Sequence, residues 1–318
     1  MRGAQTHPHP ALPHQGGGKR RQRRLRALGQ TTAILIGLMT TLLAWPASAN
    51  VSVADLHTEV RALGMGGAFV GLADDEAATR FNPAGLGFLS GGAINAHYNS
   101  QFGASDVVTV LGALPHFGGG LRFFNLGGIE GRDGNDDATS SFSYTDIALT
   151  AANGWALSDL GLGLEDLALG SRLKVDVAST RDGGGLGGGL DLGFLWRSPS
   201  PGFLPIAEMR AGLALENVPG TGPLGVKTGL AVRPISAWTI AADVGVPLEF
   251  HIGTEYRVTG LPSPLSRLDL RLGTFAQDGA LSFTLGFGVG VSSIRFDYAF
   301  VSHDVLPGSH RLALAWTF

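Results

Sequence analysis

Three successive acids, Asp74, Asp75 and Glu76, stand between the glycine-rich stretch Gly64-Met65-Gly66-Gly67 and the pair Asn82-Pro83. No other stretch of the chain concentrates so many residues whose types and spacing could do chemistry. A glycine loop opening a helix can cradle a phosphate, but no strand precedes this one and no βαβ unit surrounds it. The alternative is a plug. Gly64, Gly66 and Gly67 permit tight turns and close backbone approach, Asp74 and Asp75 can cap a short helix beginning near Glu76, and Asn82-Pro83 would end it. The acids Asp55, Glu59, Asp74, Asp75 and Glu76 could then pair with arginines around them. No Ser/His/Asp or metal-ligand arrangement stands out, and His97, His116, His251, His303 and His310 are scattered. Each reads as a lone structural histidine, so no enzyme activity, metal or cofactor is expected.

The elements that must position such a plug are strands. Fourteen stretches of suitable length follow, near 91–101, 106–116, 118–127, 141–153, 167–179, 185–197, 207–217, 226–234, 236–246, 248–258, 268–276, 281–291, 293–302 and 308–318. A tilted strand of about 9 to 12 residues is near what crosses a bilayer. Alternation is plain in Ile294-Arg295-Phe296-Asp297-Tyr298 and in Leu268-Asp269-Leu270-Arg271-Leu272, and weakest in the second and twelfth stretches. Successive strand residues point to opposite faces, so each stretch has an apolar and a polar side. The polar sides collect Arg122, Arg172, Lys174, Arg210, Lys227, Arg233, Arg257, Arg271, Arg295 and Arg311 against Asp146, Asp176, Asp191, Glu216, Asp243, Glu249, Glu255, Asp269 and Asp297. A soluble sandwich would turn those charges outward. A membrane barrel would turn them into its lumen, where a near-balance of signs suits ion pairs better than a charge-selective pore. Asp182-Gly183-Gly184, Pro219-Gly220-Thr221-Gly222 and Gln277-Asp278-Gly279 read as turns between strands.

Both ends of the chain favour the membrane. Lys19, Arg20, Arg21, Arg23, Arg24 and Arg26 precede an apolar run from Ala33 to Trp45 and then Ala47-Ser48-Ala49, the order of a secretory signal cleaved after Ala49. Residues 1–18, with His7, His9 and His14, read as an over-long leader or a misplaced start, without a metal role. Removing residues 1–49, which hold seven of the 23 Lys and Arg and none of the 26 Asp and Glu, leaves 269 residues with a net charge of about −10. That argues against nucleic-acid binding. Without cysteine there is neither a disulfide framework nor a thiolate metal site. At the other end, Leu312, Leu314, Trp316 and Phe318 share one face, and a final aromatic resembles the terminal strand signal read by barrel-assembly machinery.

From Ala62 to Leu89 the elements Gly-Met-Gly-Gly-Ala, Ala-Asp-Asp and Asn-Pro-Ala-Gly occur in that order. This run resembles the amino-terminal hatch of the FadL-type outer-membrane transporters of long-chain fatty acids, and still more that of the smaller PorV/PorQ-like proteins. The resemblance continues through 248–256, 268–273 and 294–318. It implies an all-β outer-membrane barrel of about 14 antiparallel strands, with 1–49 a signal peptide, 50–90 a hatch plugging the lumen, 91–318 the barrel, and both ends in the periplasm. Gly64, Gly66, Gly67, Asp74, Asp75, Asn82 and Pro83 are then the gating residues, and Phe69, Phe81, Leu86, Phe88 and Phe124 the candidate hydrophobic lining. Expected partners are outer-membrane lipid and either hydrophobic small molecules or, as in the PorV-like relatives, secretion-system proteins. The chain departs from the fatty-acid transporters in its short connections. Its longest candidate loop, 127–140, has no groove-forming apolar residue beyond Ile129.

Overall fold

The computed structural model describes residues 58–318, except 102–104, 182, 201–204 and 278. The expected signal peptide and Asp55 therefore lie outside the described residues. Alternation with turn residues between runs gives fourteen strands: β1 (Ala93–Gln101), β2 (Ser105–Leu114), β3 (Phe117–Ile129), β4 (Phe142–Ala156), β5 (Leu167–Thr180), β6 (Gly183–Pro199), β7 (Glu208–Glu216), β8 (Gly225–Ile235), β9 (Trp238–Val246), β10 (Glu249–Arg257), β11 (Leu265–Gln277), β12 (Ala280–Val291), β13 (Ile294–Val301) and β14 (Ser309–Thr317). Each pairs antiparallel with its neighbours in sequence. β1 closes on β14 with Ala93 opposite Thr317 and Asn99 opposite Arg311, so the sheet is a closed barrel without a free edge.

Every expected strand is present, with shifted ends. Gly183 and Gly184 belong to β6 and Gln277 to β11. The longest distal loop spans 130–141. The two weakest patterns have a simple cause: inside the barrel β12 presents Ser282, Thr284 and three glycines, and β2 presents Val107, Leu111 and Ala113, so neither contrasts with its apolar outer face.

Burial is inverted relative to a soluble sheet. Leu149, Phe283 and Leu314 are 58%, 60% and 56% exposed on the outside, whereas Arg122, Arg172 and Arg271 are at most 2% exposed inside. Trp155, Trp196, Trp238 and Trp316, all the tryptophans among the described residues, lie on outward positions near the barrel end that carries the start of β1 and the end of β14. Tyr98 and Tyr298 lie toward the distal end. There their hydroxyls meet Asp106 at 2.8 Å and His310 at 2.7 Å. An apolar band between aromatic girdles is the surface a bilayer requires. Leu312, Leu314, Trp316 and Phe318 are part of it, with exposures of 40 to 57%.

Residues 58–90 fill the lumen. They form two short helices, α1 (Val60–Gly64) and α2 (Ala78–Phe81), and a 3-10 turn at Pro83–Phe88. This one segment meets β1 through Asn95, β3 through Arg122, β6 through Asn82, β9 through Asp243, β10 through Glu255 and β12 through Thr284. Strands on all sides of a closed barrel can be touched at once only from within it. No helix of the described residues is long and apolar enough to cross a membrane.

Candidate functional site

The luminal segment is held by two kinds of contact, and the first is steric. On β4, β5, β6, β7, β8, β10 and β11 the inward glycines Gly154, Gly170, Gly193, Gly212, Gly229, Gly253 and Gly273 lie so close to the hatch that an added Cβ would come within 3.0 Å of its main chain. The atoms met are Pro83 O, Ala84 N, Val70 O, Gly71 N, Met65 O and Gly66 N. A side chain can rotate away from an intruding methyl; main chain cannot. Seven strands have therefore given up their inward side chain where the plug passes. Gly66 and Gly67 reciprocate with φ of 65° and 79°, and Gly66 turns against Thr274 and Ile252 where no side chain fits. β9 adds Asp243, whose carboxylate accepts the N–H groups of Phe69 and Val70 at 2.6 and 2.7 Å.

The second kind is ionic. Arg61 on α1 holds Asp74 at 2.6 Å, Asp75 at 2.8 Å and Glu255 of β10 at 2.8 Å. Arg271 of β11 joins Glu255 at 2.7 Å to Asp297 of β13 at 2.7 Å, and Arg295 joins Asp297 at 2.6 Å to Glu76 at 2.9 Å. On the other flank Asp74 pairs with Arg233 of β8, which reaches Glu208 at 2.6 Å. The acids thus lie across the mouth of the lumen between β8 and β13. Asn95 of β1 also donates to Glu76 at 2.6 Å. Deeper in, Glu59 meets Arg80 at 2.8 Å and Arg122 at 3.5 Å. Buried charges are tolerable only when paired in this way.

The three acids are not equivalent. Burial raises the pKa of Asp74, but Arg61, Arg210 and Arg233 overcome it and hold the carboxyl well below the usual range. Asp75 is buried too and lies beside Glu76; Arg61 offsets this only partly, and its pKa is pushed up to about 6. Burial of Glu76 is outweighed by Arg295 and the Asn95 hydrogen bond, and its pKa falls.

The remaining sequence-derived residues fall as follows. The helix expected near Glu76 begins instead at Ala78. Asp75 accepts the Ala77 N–H at 2.9 Å just before it, while Asp74 caps nothing and is turned to Arg61 and Arg233. Asn82 does end the helix: its side chain accepts the Ala84 N–H at 3.2 Å and donates to Val70 O and Phe194 O, each at 3.0 Å, and Pro83 starts the 3-10 turn. Gly64 packs against Arg271 and Gly286. The proposed hydrophobic lining is not brought together. Phe69 and Phe81 pack with ring centroids 5.4 Å apart in one buried cluster, Leu86 belongs to another with Phe88 packed against it, and Phe124 stands apart against Tyr144. Phe88 borders an open cavity, with Arg197 over its ring. That cavity, about 500 Å³, lies at the mouth between the acids and the β1/β14 seam, lined also by Leu89, Ala113, Arg295 and Phe318. A second, of about 260 Å³, lies on the other side of Asp74 and Asp75 among Arg61, Arg233, Arg257 and Arg267. The wall glycines and the Arg61–Glu255–Arg271–Asp297 chain escaped the sequence reading. A glycine recurring at inward positions of successive strands was the available signal.

No family model and no curated protein sequence matches this chain significantly. Solved structures do. A FadL homologue from Pseudomonas aeruginosa superposes with a TM-score of 0.53 at 10% identity, covering 82% of this chain and 98% of its own. The toluene transporter TodX from P. putida superposes at 0.50 with 13% identity, covering 80% and 97%. These likenesses concern the FadL-type barrels and do not bear on the PorV-like relatives. At such identities they establish architecture, and the chain accordingly has the fold of the FadL-type outer-membrane β-barrels.

Proposed function

We propose that this chain is a bacterial outer-membrane barrel for passive passage of hydrophobic small molecules, with 1–49 as signal peptide, 50–90 as hatch and 91–318 as barrel. The observation that carries the reading is the mouth cavity. It has an apolar side of Phe88, Leu89, Ala113 and Phe318, and a charged side of Asp74, Asp75 and Glu76, the residues that tie the hatch across the lumen. A hydrophobic solute leaving the lumen would meet the apolar side as the acids release their arginines. The P. putida barrel is named a toluene transporter, and a similar solute class is the natural first probe for a chain of the same fold. A membrane site also gives Phe318 a role as the signal read by barrel-assembly machinery.

The seven glycines favour a second reading, a non-transporting scaffold or secretion partner, because a plug seated main chain against main chain leaves little lumen. The absence of cysteine permits a clean test. Val60 and Ala299 share a buried cluster, so Val60→Cys with Ala299→Cys can tether the hatch to β13. Transport predicts that proteoliposomes bearing this variant take up a hydrophobic dye only after reduction. Equal uptake before and after reduction, or none above empty liposomes for the unmodified chain, would put the scaffold reading first.

A further inference from the structure

Three successive inward residues of β1, Asn95, His97 and Asn99, are at most 3% exposed, and each keeps one polar atom without a hydrogen-bond partner: Asn95 Oδ1, His97 Nε2 and Asn99 Oδ1. Their other polar groups are engaged. Asn95 Nδ2 donates to Glu76, His97 Nδ1 accepts the Val60 N–H at 3.3 Å, and Asn99 Nδ2 donates to Thr58 O at 3.3 Å. Because Nδ1 accepts, a neutral His97 carries its proton on Nε2, and the open sites alternate as acceptor, donor, acceptor.

Leaving three such groups dry is unfavourable, since buried polar atoms are almost always satisfied by protein or by ordered water. The spacing fits water. Inward residues two apart on a strand are separated by roughly 6.6 to 6.8 Å, too far for one water bridging at about 2.8 Å to each side but within reach of two in line. The neighbouring strand sets small residues beside two of the three, Ala315 opposite Asn95 and Ala313, packed with Val60, opposite His97, and Arg311 stands opposite Asn99. The file also has an entrance, because Asn95 is bonded to Glu76, which borders the cavity of about 500 Å³.

We propose that the inward face of β1 binds a file of water molecules between hatch and wall, running from the mouth cavity past Asn95 and His97 to Asn99. This seam is hydrated, and hydrogen-bonding molecules, not hydrocarbons, occupy it. The inference does not depend on the transport reading.

X-ray-generated hydroxyl radicals, which label side chains next to bound water even when these are buried, provide the test on the whole protein in detergent. His251 is the internal reference: it is buried inside the same barrel, but Nδ1 lies 2.7 Å from Gly66 O and Nε2 3.6 Å from Glu249. His97 is expected to be labelled several-fold faster than His251, approaching exposed His310. Ala315→Leu, which sets a larger side chain opposite Asn95 where the file enters, should reduce the labelling to the His251 level while the unheated protein keeps its compact gel mobility. Should His97 in the unmodified protein be as protected as His251, the water file does not exist, whatever the variant does.

Discussion

Against β4 to β11 the hatch lies main chain to main chain, with glycines in the wall and Asp243 binding two of its N–H groups; against β13, β14, β1 and β2 it meets side chains. No inward residue of those last four strands is a glycine, and there the contacts are Ala299, the Arg295–Glu76 pair, Asn95, His97 and Thr109. The two sides resist movement differently. Close-packed main chain has no second arrangement nearby, whereas the neutral contacts of Asn95, His97 and Thr109 can exchange a partner for water at small net cost, which leaves the Arg295–Glu76 pair as the strong tie on that side. A hatch built this way is anchored on one side and separable on the other.

The largest expected effect breaks the anchored side. Gly253→Val and Gly273→Val should each destabilise the seated hatch by more than the roughly 1 to 3 kcal/mol typical of overpacking, since the atoms in the way are main chain. Limited proteolysis should then cut residues 58–90, while Gly112→Val, on the outer face, leaves them protected. If all three variants resist protease alike, the glycines are not a seat.

Next in size is the ionic clamp, where adjacent acids should part company. Asp74→Asn leaves Arg233 and Arg61 short of a buried partner and should cost about 1 to 3 kcal/mol, seen in the urea midpoint. Asp75→Asn should be close to neutral at pH 7, because burial and Glu76 already disfavour its charge. Neutralising both should raise hydrophobic dye uptake without loss of barrel insertion. Equal destabilisation by the two single changes would remove the distinction between them.

The same difference gives a smaller pH effect. The folded pKa of Asp75, about 6, lies above its ordinary value of 3.8, so in this window the folded state holds a proton that the unfolded state has released. Its contribution is complete below about pH 3.8 and lost as pH rises through 6. The urea midpoint should therefore be higher at pH 5 than Asp75→Asn predicts from its own midpoints at pH 7 and 5. A chain whose pH dependence is unchanged by the substitution owes that dependence to other groups.

The mildest test perturbs nothing. The Val60 N–H, bonded to His97 at 3.3 Å on the separable side, should exchange with deuterium faster than those of Phe69 and Val70, bonded to Asp243 at 2.6 and 2.7 Å. The reverse order would place the mobile side against β9.

The strands were legible because a membrane barrel imposes a period of two on every wall segment, and the order Leu268-Asp269-Leu270-Arg271-Leu272 states it without help from distant residues. Thus the chain by itself determined the barrel, its fourteen strands and the inward course of its charges. It also marked the hatch, since glycines, acids and Asn82-Pro83 interrupt the alternation. It could not separate Asp74 from Asp75. They are identical in type and adjacent, both pair with Arg61, and the difference is made by Arg233, 159 positions away, which reaches Asp74, and by Glu76, which raises Asp75. Nor could it tell which glycines were seats and which were turns. Only closure of the sheet brings Gly154, Gly193 and Gly273 to one plug, because steric exclusion depends on what lies across the lumen and has no counterpart along the chain. The apolar lining parted for the same reason: the hatch turns sent Phe69 and Phe81 to one cluster and Leu86 with Phe88 to another, while Phe124 stayed on the wall of β3.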